Sequence, residues 1–359
     1  MPTQYKIAIV GEAWGRQEEH YGRPFVGAAG DELNRLLADS GILQTNVPDA
    51  YKARAETIYA TNVFNFRPPA EDNSILSLCV KRKDLPEGGK GYRHAALSNG
   101  FYVHPRYLES LARLRVELES VKPNIVIALG NTAMWALTGK IGIDKYRGAT
   151  VESTLVPGLK VLPTYHPASL FRVWNRRPML VIDLIKARQE SETPTISRKS
   201  RSVWLEPTLD DLETFWRDSL TTAPIISFDI ENPRDIISCI SFAPSDSLSI
   251  VVPFEDERKP ANSYWPTRAD ELAAWKWVKR VCESPIPKLA QNGLYDITHL
   301  AHAGIFVRNY EHDTMLLHHA LQPEERKGLG VIGSLYANES AWKMDGSFRS
   351  SKKTIKRDA

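Results

Sequence analysis

Cysteine is scarce and scattered in this chain. Its 359 residues include three, Cys79, Cys239 and Cys282, and no CxxC pair. That spacing argues against a disulfide framework, a zinc ribbon or a four-cysteine iron–sulfur site built within the chain, and it suits a reducing, cytoplasmic setting. Long apolar runs are missing as well. None approaches the ~20 residues of a membrane helix, so no membrane partner is expected. The start, MPTQYKIAIVGEAWG, has no charged-then-apolar leader and runs straight into a strand pattern. Neither sign of charge dominates: 46 basic against 43 acidic residues leaves a formal +3. Many enzymes with small substrates carry the same balance, so it does not by itself point to nucleic acid.

The composition is ordinary for a globular protein, and the length suggests about two domains. A stretch rich in Ser, Thr and charge, QESETPTISRKSRSV, marks a linker at 191–202. Before it, apolar runs at 6–11, 57–63, 123–130 and 160–166 alternate with helix patterns at 31–40, 105–121 and 131–138. This alternation predicts an α/β fold with a parallel sheet covered on both faces. Glu12, Asn62 and His166 all fall at carboxyl ends of predicted strands, where ligands of such sheets bind. Residues 69–105 read as a long surface excursion carrying the basic trio Lys81, Arg82 and Lys83. After the linker, runs at 224–231, 236–244 and 247–254 predict an antiparallel meander. A helix at 268–283, a short strand at 287–292 and helices at 294–302 and 314–321 complete a mixed sheet with flanking helices. The tail 346–359 is basic, with Arg349, Lys352, Lys353, Lys356 and Arg357 against Asp358.

Four segments of the first half, GEAWGRQEEHYGRPFVGAAG, TNVFNFRPP, PNIVIALGNTA and TYHPASLFR, occur in an order that resembles the uracil-DNA glycosylase superfamily, in particular its family-four branch. The resemblance covers about residues 5–190 and implies a domain at 1–190. That domain would be an α/β/α sandwich around a four-stranded parallel sheet, with a site for a flipped-out uracil in DNA. By motif, Glu12 with the backbone of Gly11 and Ala13 forms the water side, Phe25 stacks on the base, Asn62 pairs with its O4 and N3 edge, and His166 donates to O2. Ser169, Leu170 and Arg172 belong to the segment that resembles the DNA-penetrating loop, with Leu170 as the apolar wedge. Breaking the N-glycosidic bond leaves negative charge toward O2, and a rigid donor there stabilises the transition state selectively. A carboxamide offers an acceptor and donors that distinguish uracil from cytosine. An aromatic face returns part of the stacking lost on extrusion. No metal or other cofactor is needed for this reaction.

Two departures stand out. The family-four pattern carries four cysteines around an iron–sulfur cluster, beginning before the first strand. Here the domain has Cys79 alone and begins too late for that pair, so no cluster is expected. Trp14 stands where the family commonly has Pro. An inactive relative kept for DNA binding is the alternative for this half.

In the second half Asp229 and Glu231 lie two apart on a predicted strand and so share a face. Two adjacent carboxylates repel unless a cation lies between them, which makes them candidate metal ligands. SFDIEN, QNGLYD and HDTMLLHHALQP resemble DEDD-type 3′–5′ exonuclease domains, with a ribonuclease H-like fold, as found in family A DNA polymerases. The resemblance implies a domain at 203–345 in which Asp229, Glu231 and Asp296 hold Mg²⁺ or Mn²⁺, and in which Asp313 is structural. The third motif of that family, Tyr-x-x-x-Asp, has no match after Tyr336, so the domain is expected to be incomplete and its nuclease activity uncertain. The pairing of modules implies a phage-type replication protein in a host cytoplasm, with a separate DNA polymerase polypeptide or replisome as partner. The leading reading is uracil excision. The alternatives are metal-dependent 3′ trimming, with the first domain only holding uracil, and a non-enzymatic pair of DNA-binding modules.

Overall fold

The computed structural model describes residues 5–197, 200–233 and 235–337. The tail at 346–359, the expected end of the second domain at 345, and Ser340, where the missing acid would stand, lie outside these residues. Two compact units are present. Among the described residues the first runs through Ile196 and also takes in Gly333 to Ala337; the second is Ser197–Ile332.

In the first unit the strands are β1 (Ile7–Ala13), β2 (Ile58–Phe64), β3 (Cys79–Lys81), β4 (Phe101–Val103), β5 (Ile125–Leu129), β6 (Val151–Glu152) and β7 (Lys160–Thr164). Five of them form a sheet in the order β2-β1-β5-β7-β6. The first four are parallel and β6 runs antiparallel to β7. The expected four parallel strands are therefore present, with an added edge strand that two residues of pattern could not reveal. β5 is buried along its whole length, as a strand covered on both faces must be. The helix Gly130–Thr138 leaves β5 directly and buries seven of its nine residues. The excursion at 69–105 is not all loop: β3 and β4 pair as an antiparallel hairpin, with Cys79 opposite Val103 and Lys81 opposite Phe101.

The second unit contains β8 (Ser202–Trp204), β9 (Ile226–Glu231), β10 (Cys239–Ala243), β11 (Leu248–Pro253), β12 (Lys288–Ala290) and β13 (Tyr310–Asp313). Their order is β13-β12-β9-β10-β11-β8. The meander β9-β10-β11 is antiparallel, while β12, β13 and β8 each run parallel to their neighbour. β9 alternates buried and outward residues, which leaves Asp229 and Glu231 exposed on one face. Ser202, expected to end the linker, already pairs in β8 with Leu248. A three-residue edge strand carries too short a period to stand out from a polar linker.

Candidate active site at the carboxyl edge of the first sheet

Gly11 near the end of β1 is paired with Asn62 of β2. A Cβ on Gly11 would stand 2.2 Å from Asn62 Oδ1 and 2.7 Å from Phe25 Cζ. Only glycine lets this amide and this ring approach the same point of the strand. Phe25 is 4% exposed and sits at φ 55°, a left-handed conformation that disfavours an L side chain. Arg54 secures it there. Nη2 of the buried guanidinium donates to the Phe25 carbonyl at 2.9 Å, Nη1 donates to Asn34 Oδ1 at 2.7 Å, and the guanidinium carbon lies 5.8 Å from the Phe25 ring centre.

Asn62 is 2% exposed. Its N–H donates to Asn65 Oδ1 at 3.2 Å, and its carbonyl accepts from Arg113 Nη2 at 2.7 Å. The same Arg113 nitrogen reaches the Val63 carbonyl at 2.8 Å, and Glu117 balances the charge at 2.6 Å. The backbone at the strand end is thus clamped on both sides of the amide.

His166 follows β7. Its Nδ1 accepts the Ala168 N–H at 3.2 Å, so the proton of the neutral ring belongs on Nε2. Burial pushes its pKa down to about 4, which keeps the ring neutral near pH 7. The ring lies 29° from parallel to Phe25 with centres 6.4 Å apart. Gly130 sits at φ 86°, where an L side chain is strained, and a Cβ there would press on His166 Cβ at 3.3 Å.

Glu12 is held from the next helix. Thr132, in the first turn of Gly130–Thr138, donates its hydroxyl to Glu12 Oε2. Burial raises the Glu12 pKa, and the Thr132 hydrogen bond works against that rise. Burial also lifts the Cys79 thiol to about 11, and the Glu12 charge adds to the effect. Ala13 ends β1 opposite Phe64. Gly11, Glu12, Phe25, Asn62 and His166, drawn from four separate stretches of chain, are therefore brought to one edge of one sheet. Thr132, Arg54 and Arg113 were not singled out in the sequence; Thr132 lies within GNTA, but a hydroxyl aimed at Glu12 has no signature in spacing.

The loop residues need a correction. Leu170, expected as the exposed wedge, is 2% exposed. The segment Pro167–Phe171 is a 3-10 turn, in which residues three apart share a face, and Pro167 and Leu170 are buried together. The outward apolar side chains are Phe171, 59% exposed, Val173, 37% exposed, and Trp174, 62% exposed. Arg172 is exposed, and the Ser169 hydroxyl is buried with no hydrogen-bond partner among the described residues.

Neither implied metal group finds its donor set. Among the described residues no three His, Cys, Asp or Glu side chains gather as metal ligands. Asp229 and Glu231 are exposed, whereas Asp296 is buried and accepts the Ile230 N–H at 3.0 Å. Burial raises its pKa. Asp229, Glu231 and Asp296 do not gather as a ligand group among the described residues, and one oxygen of Asp296 joins its helix to β9. Asp313 has a structural role. Its carboxylate accepts N–H groups of Asn292, Gly293 and Met315 at 3.0, 2.9 and 2.8 Å and the Tyr310 hydroxyl at 2.6 Å. Burial alone would raise its pKa, but these donors hold it below the ordinary value. A four-cysteine cluster does not fit the first unit either, where Cys79 is the one cysteine and its thiol is hard to ionise.

A type-4 uracil-DNA glycosylase of Thermotoga maritima is 32% identical over 189 residues, covering 51% of this chain and 76% of that protein. One from Sulfurisphaera tokodaii is 28% identical over 198 residues, covering 53% and 71%. Among solved structures, the EXD2 exonuclease domain soaked with Mn and GMP shares 16% identity at a TM-score of 0.25, covering 33% of this chain and 58% of that one. NrnC of Brucella melitensis with bound Mg²⁺ shares 18% identity at a TM-score of 0.27, covering 40% and 64%. The model of the uracil DNA glycosylase superfamily matches residues 1–187, over half of the chain, and the chain belongs to that superfamily.

Proposed function

We propose that the first unit hydrolyses the N-glycosidic bond of uracil in DNA, acting on a nucleotide swung out of its strand. The observation that carries this reading is the approach of Asn62 and Phe25 over Gly11, with the His166 ring facing them. Phe25 stacks on the extruded base and the Asn62 carboxamide pairs with its O4 and N3 edge. The C1′–N1 bond breaks with its electron pair passing to the base, where charge builds toward O2. The Nε2–H of neutral His166 donates to that oxygen. A neutral donor suits the task, since no proton has to be removed before the base leaves. Water adds at C1′, and the Glu12 carboxylate beside it stabilises the sugar cation and takes the water's proton. Thr132 favours the ionised carboxylate that this step requires. Phe171, in place of Leu170, fills the gap left in the duplex, and Arg172 holds a phosphate. The second unit belongs, in this reading, to a phage-type replication protein and serves a separate polymerase polypeptide by holding DNA.

The test is incubation of the full chain with an oligonucleotide bearing one uracil, followed by alkaline cleavage at abasic sites. Excision is expected without added metal, and Asn62→Ala should abolish most of it. A folded wild-type chain that leaves uracil in place would overturn the proposal. EDTA-sensitive shortening from the 3′ end, lost in Asp229→Ala, would instead favour a nuclease role for the second unit.

A further inference from the structure

The trio Lys81, Arg82 and Lys83 is not used by the chemistry above, yet the fold places it close to that chemistry. The excursion leaves the sheet at Phe64, the carboxyl end of β2, which is the edge that holds Asn62. It is tied to the two segments that set Glu12: the Phe66 carbonyl accepts the Trp14 N–H at 3.2 Å, and the Ala95 carbonyl accepts the Trp135 indole N–H at 2.9 Å. Within it the strand β3 runs to Lys81, and the 3-10 turn Arg82–Asp84 follows. A ladder of rings supports this turn. Trp135, three residues beyond Thr132, lies 6.0 Å from the His94 ring; His94 lies 5.6 Å from Tyr92; and Tyr92 meets Tyr102 edge-on at 5.7 Å. The Arg82 guanidinium carbon lies 5.8 Å from the Tyr102 ring centre. All three cations are exposed, and none is in an ion pair among the described residues. Three exposed cations at the end of β3 and on a braced turn, against the one acid Asp84, stand beside a site whose proposed ligand is a phosphodiester polymer.

We propose that Lys81, Arg82 and Lys83, presented beside the Glu12 edge by the β3–β4 hairpin, bind the DNA backbone next to the extruded nucleotide. The inference rests on the excision reading for its ligand but not for its surface. The cations hold phosphates and carry no base information, so they act on affinity and on its salt dependence. They leave the bond-breaking step alone.

The experiment uses the full chain in a His166→Ala background, so that the DNA survives, and a duplex bearing one uracil. Affinity is followed by fluorescence anisotropy from 50 to 200 mM salt. The triple variant Lys81→Gln, Arg82→Gln, Lys83→Gln should lower the slope of log affinity against log salt by about 2 to 3, near 0.9 per lost contact, and weaken binding about tenfold at 150 mM. Lys81→Gln and Lys83→Gln singly should each lower the slope by about 1. Arg115→Gln with Lys122→Gln is the control, because Lys122 precedes β5 and so lies at the opposite, amino-terminal edge of the sheet. With His166 restored, the triple variant should raise KM and leave the single-turnover rate within about twofold. An unchanged slope in the triple variant, or an equal drop in the control, would overturn the proposal. A lost slope in a chain whose wild type removes no uracil would uphold the surface and overturn the excision reading instead.

Discussion

Replacing His166 with Ala removes one neutral, fixed donor from a dry site. Donors of this kind contribute about 3–4 kcal/mol to a transition state in which charge develops, which corresponds to a rate loss of about 10²–10³. The hydrogen bond strengthens only as O2 becomes negative, so the loss should fall on the single-turnover rate constant and leave DNA affinity almost untouched. The protonation state sharpens the expectation. An ordinary imidazole titrates near 6.5 and would change charge across the usual assay range. Burial holds His166 at about 4, and the Ala168 N–H occupies Nδ1, so the Nε2–H donor persists from pH 5.5 upward. Rates should therefore show no inflection near pH 6.5 that depends on this residue. The assay is alkaline cleavage of a single-uracil oligonucleotide under enzyme excess, from pH 4.5 to 8.5, for wild type and His166→Ala. A loss under tenfold, a loss confined to KM, or a wild-type inflection between pH 6 and 7 that disappears in the variant would refute the reasoning.

Thr132→Val keeps the side-chain shape but removes the hydroxyl that opposes the burial-raised pKa of Glu12, so the acid limb of the excision rate should move to higher pH, while Thr132→Ser restores it; an unmoved limb in a pH–rate profile would remove Glu12 from the reaction. Gly11→Ala introduces a methyl 2.2 Å from Asn62 Oδ1 and must displace the amide or the Phe25 ring. A displacement near 1 Å is expected to cost about 10²-fold in rate with the fold retained by circular dichroism. Phe171→Ala should slow excision from duplex more than from single strands, because only a duplex has a gap to fill, and Leu170→Ala should instead lower the melting temperature, as loss of a buried leucine costs about 2–5 kcal/mol.

Much of the first sheet was legible because strands covered on both faces announce themselves as unbroken apolar runs. IVIAL in β5 and IAIV in β1 leave little choice of element. The candidate site was legible because its polar residues stand just beyond such runs. What escaped was set by local geometry at the scale of one turn. Leu170 reads as a wedge until the backbone is seen to close as a 3-10 turn, whose three-residue period places it beside Pro167 in the core. Spacing did not show that the Asp296 carboxylate accepts the Ile230 N–H, a bond between residues 66 apart in the chain. β6 and β8 contain two and three residues, and at that length a period of two cannot be told from chance. Arg54 and Arg113 carry no signature in spacing, yet each donates to a backbone carbonyl at the site, that of Phe25 and that of Asn62.

The excursion after β2 is kept in place by hydrogen bonds and ring contacts. The His104 N–H donates to the Leu78 carbonyl at 2.9 Å, the Tyr92 hydroxyl to the Val103 carbonyl at 2.7 Å, and the Trp135 indole to the Ala95 carbonyl at 2.9 Å. Phe66 meets Phe64 at 5.8 Å and Tyr107 at 5.7 Å, and its carbonyl accepts the Trp14 N–H at 3.2 Å. Each such bond contributes about 1 kcal/mol and each aromatic pair about 0.5–1.5 kcal/mol. Their anchor points are the more telling feature. Trp14 follows Glu12 by two residues, and Trp135 lies one turn beyond Thr132. The bonds from Trp14 and Trp135 thus tie the excursion to the two segments that set the Glu12 carboxylate, and loosening the loop would disturb the water side of the site before it disturbed the base side. Tyr92→Phe, which deletes one hydroxyl remote from any reacting atom, should therefore shift the Glu12-dependent acid limb while leaving uracil-over-cytosine discrimination at Asn62 unchanged; the reverse pattern would show that the excursion is coupled to the base pocket instead.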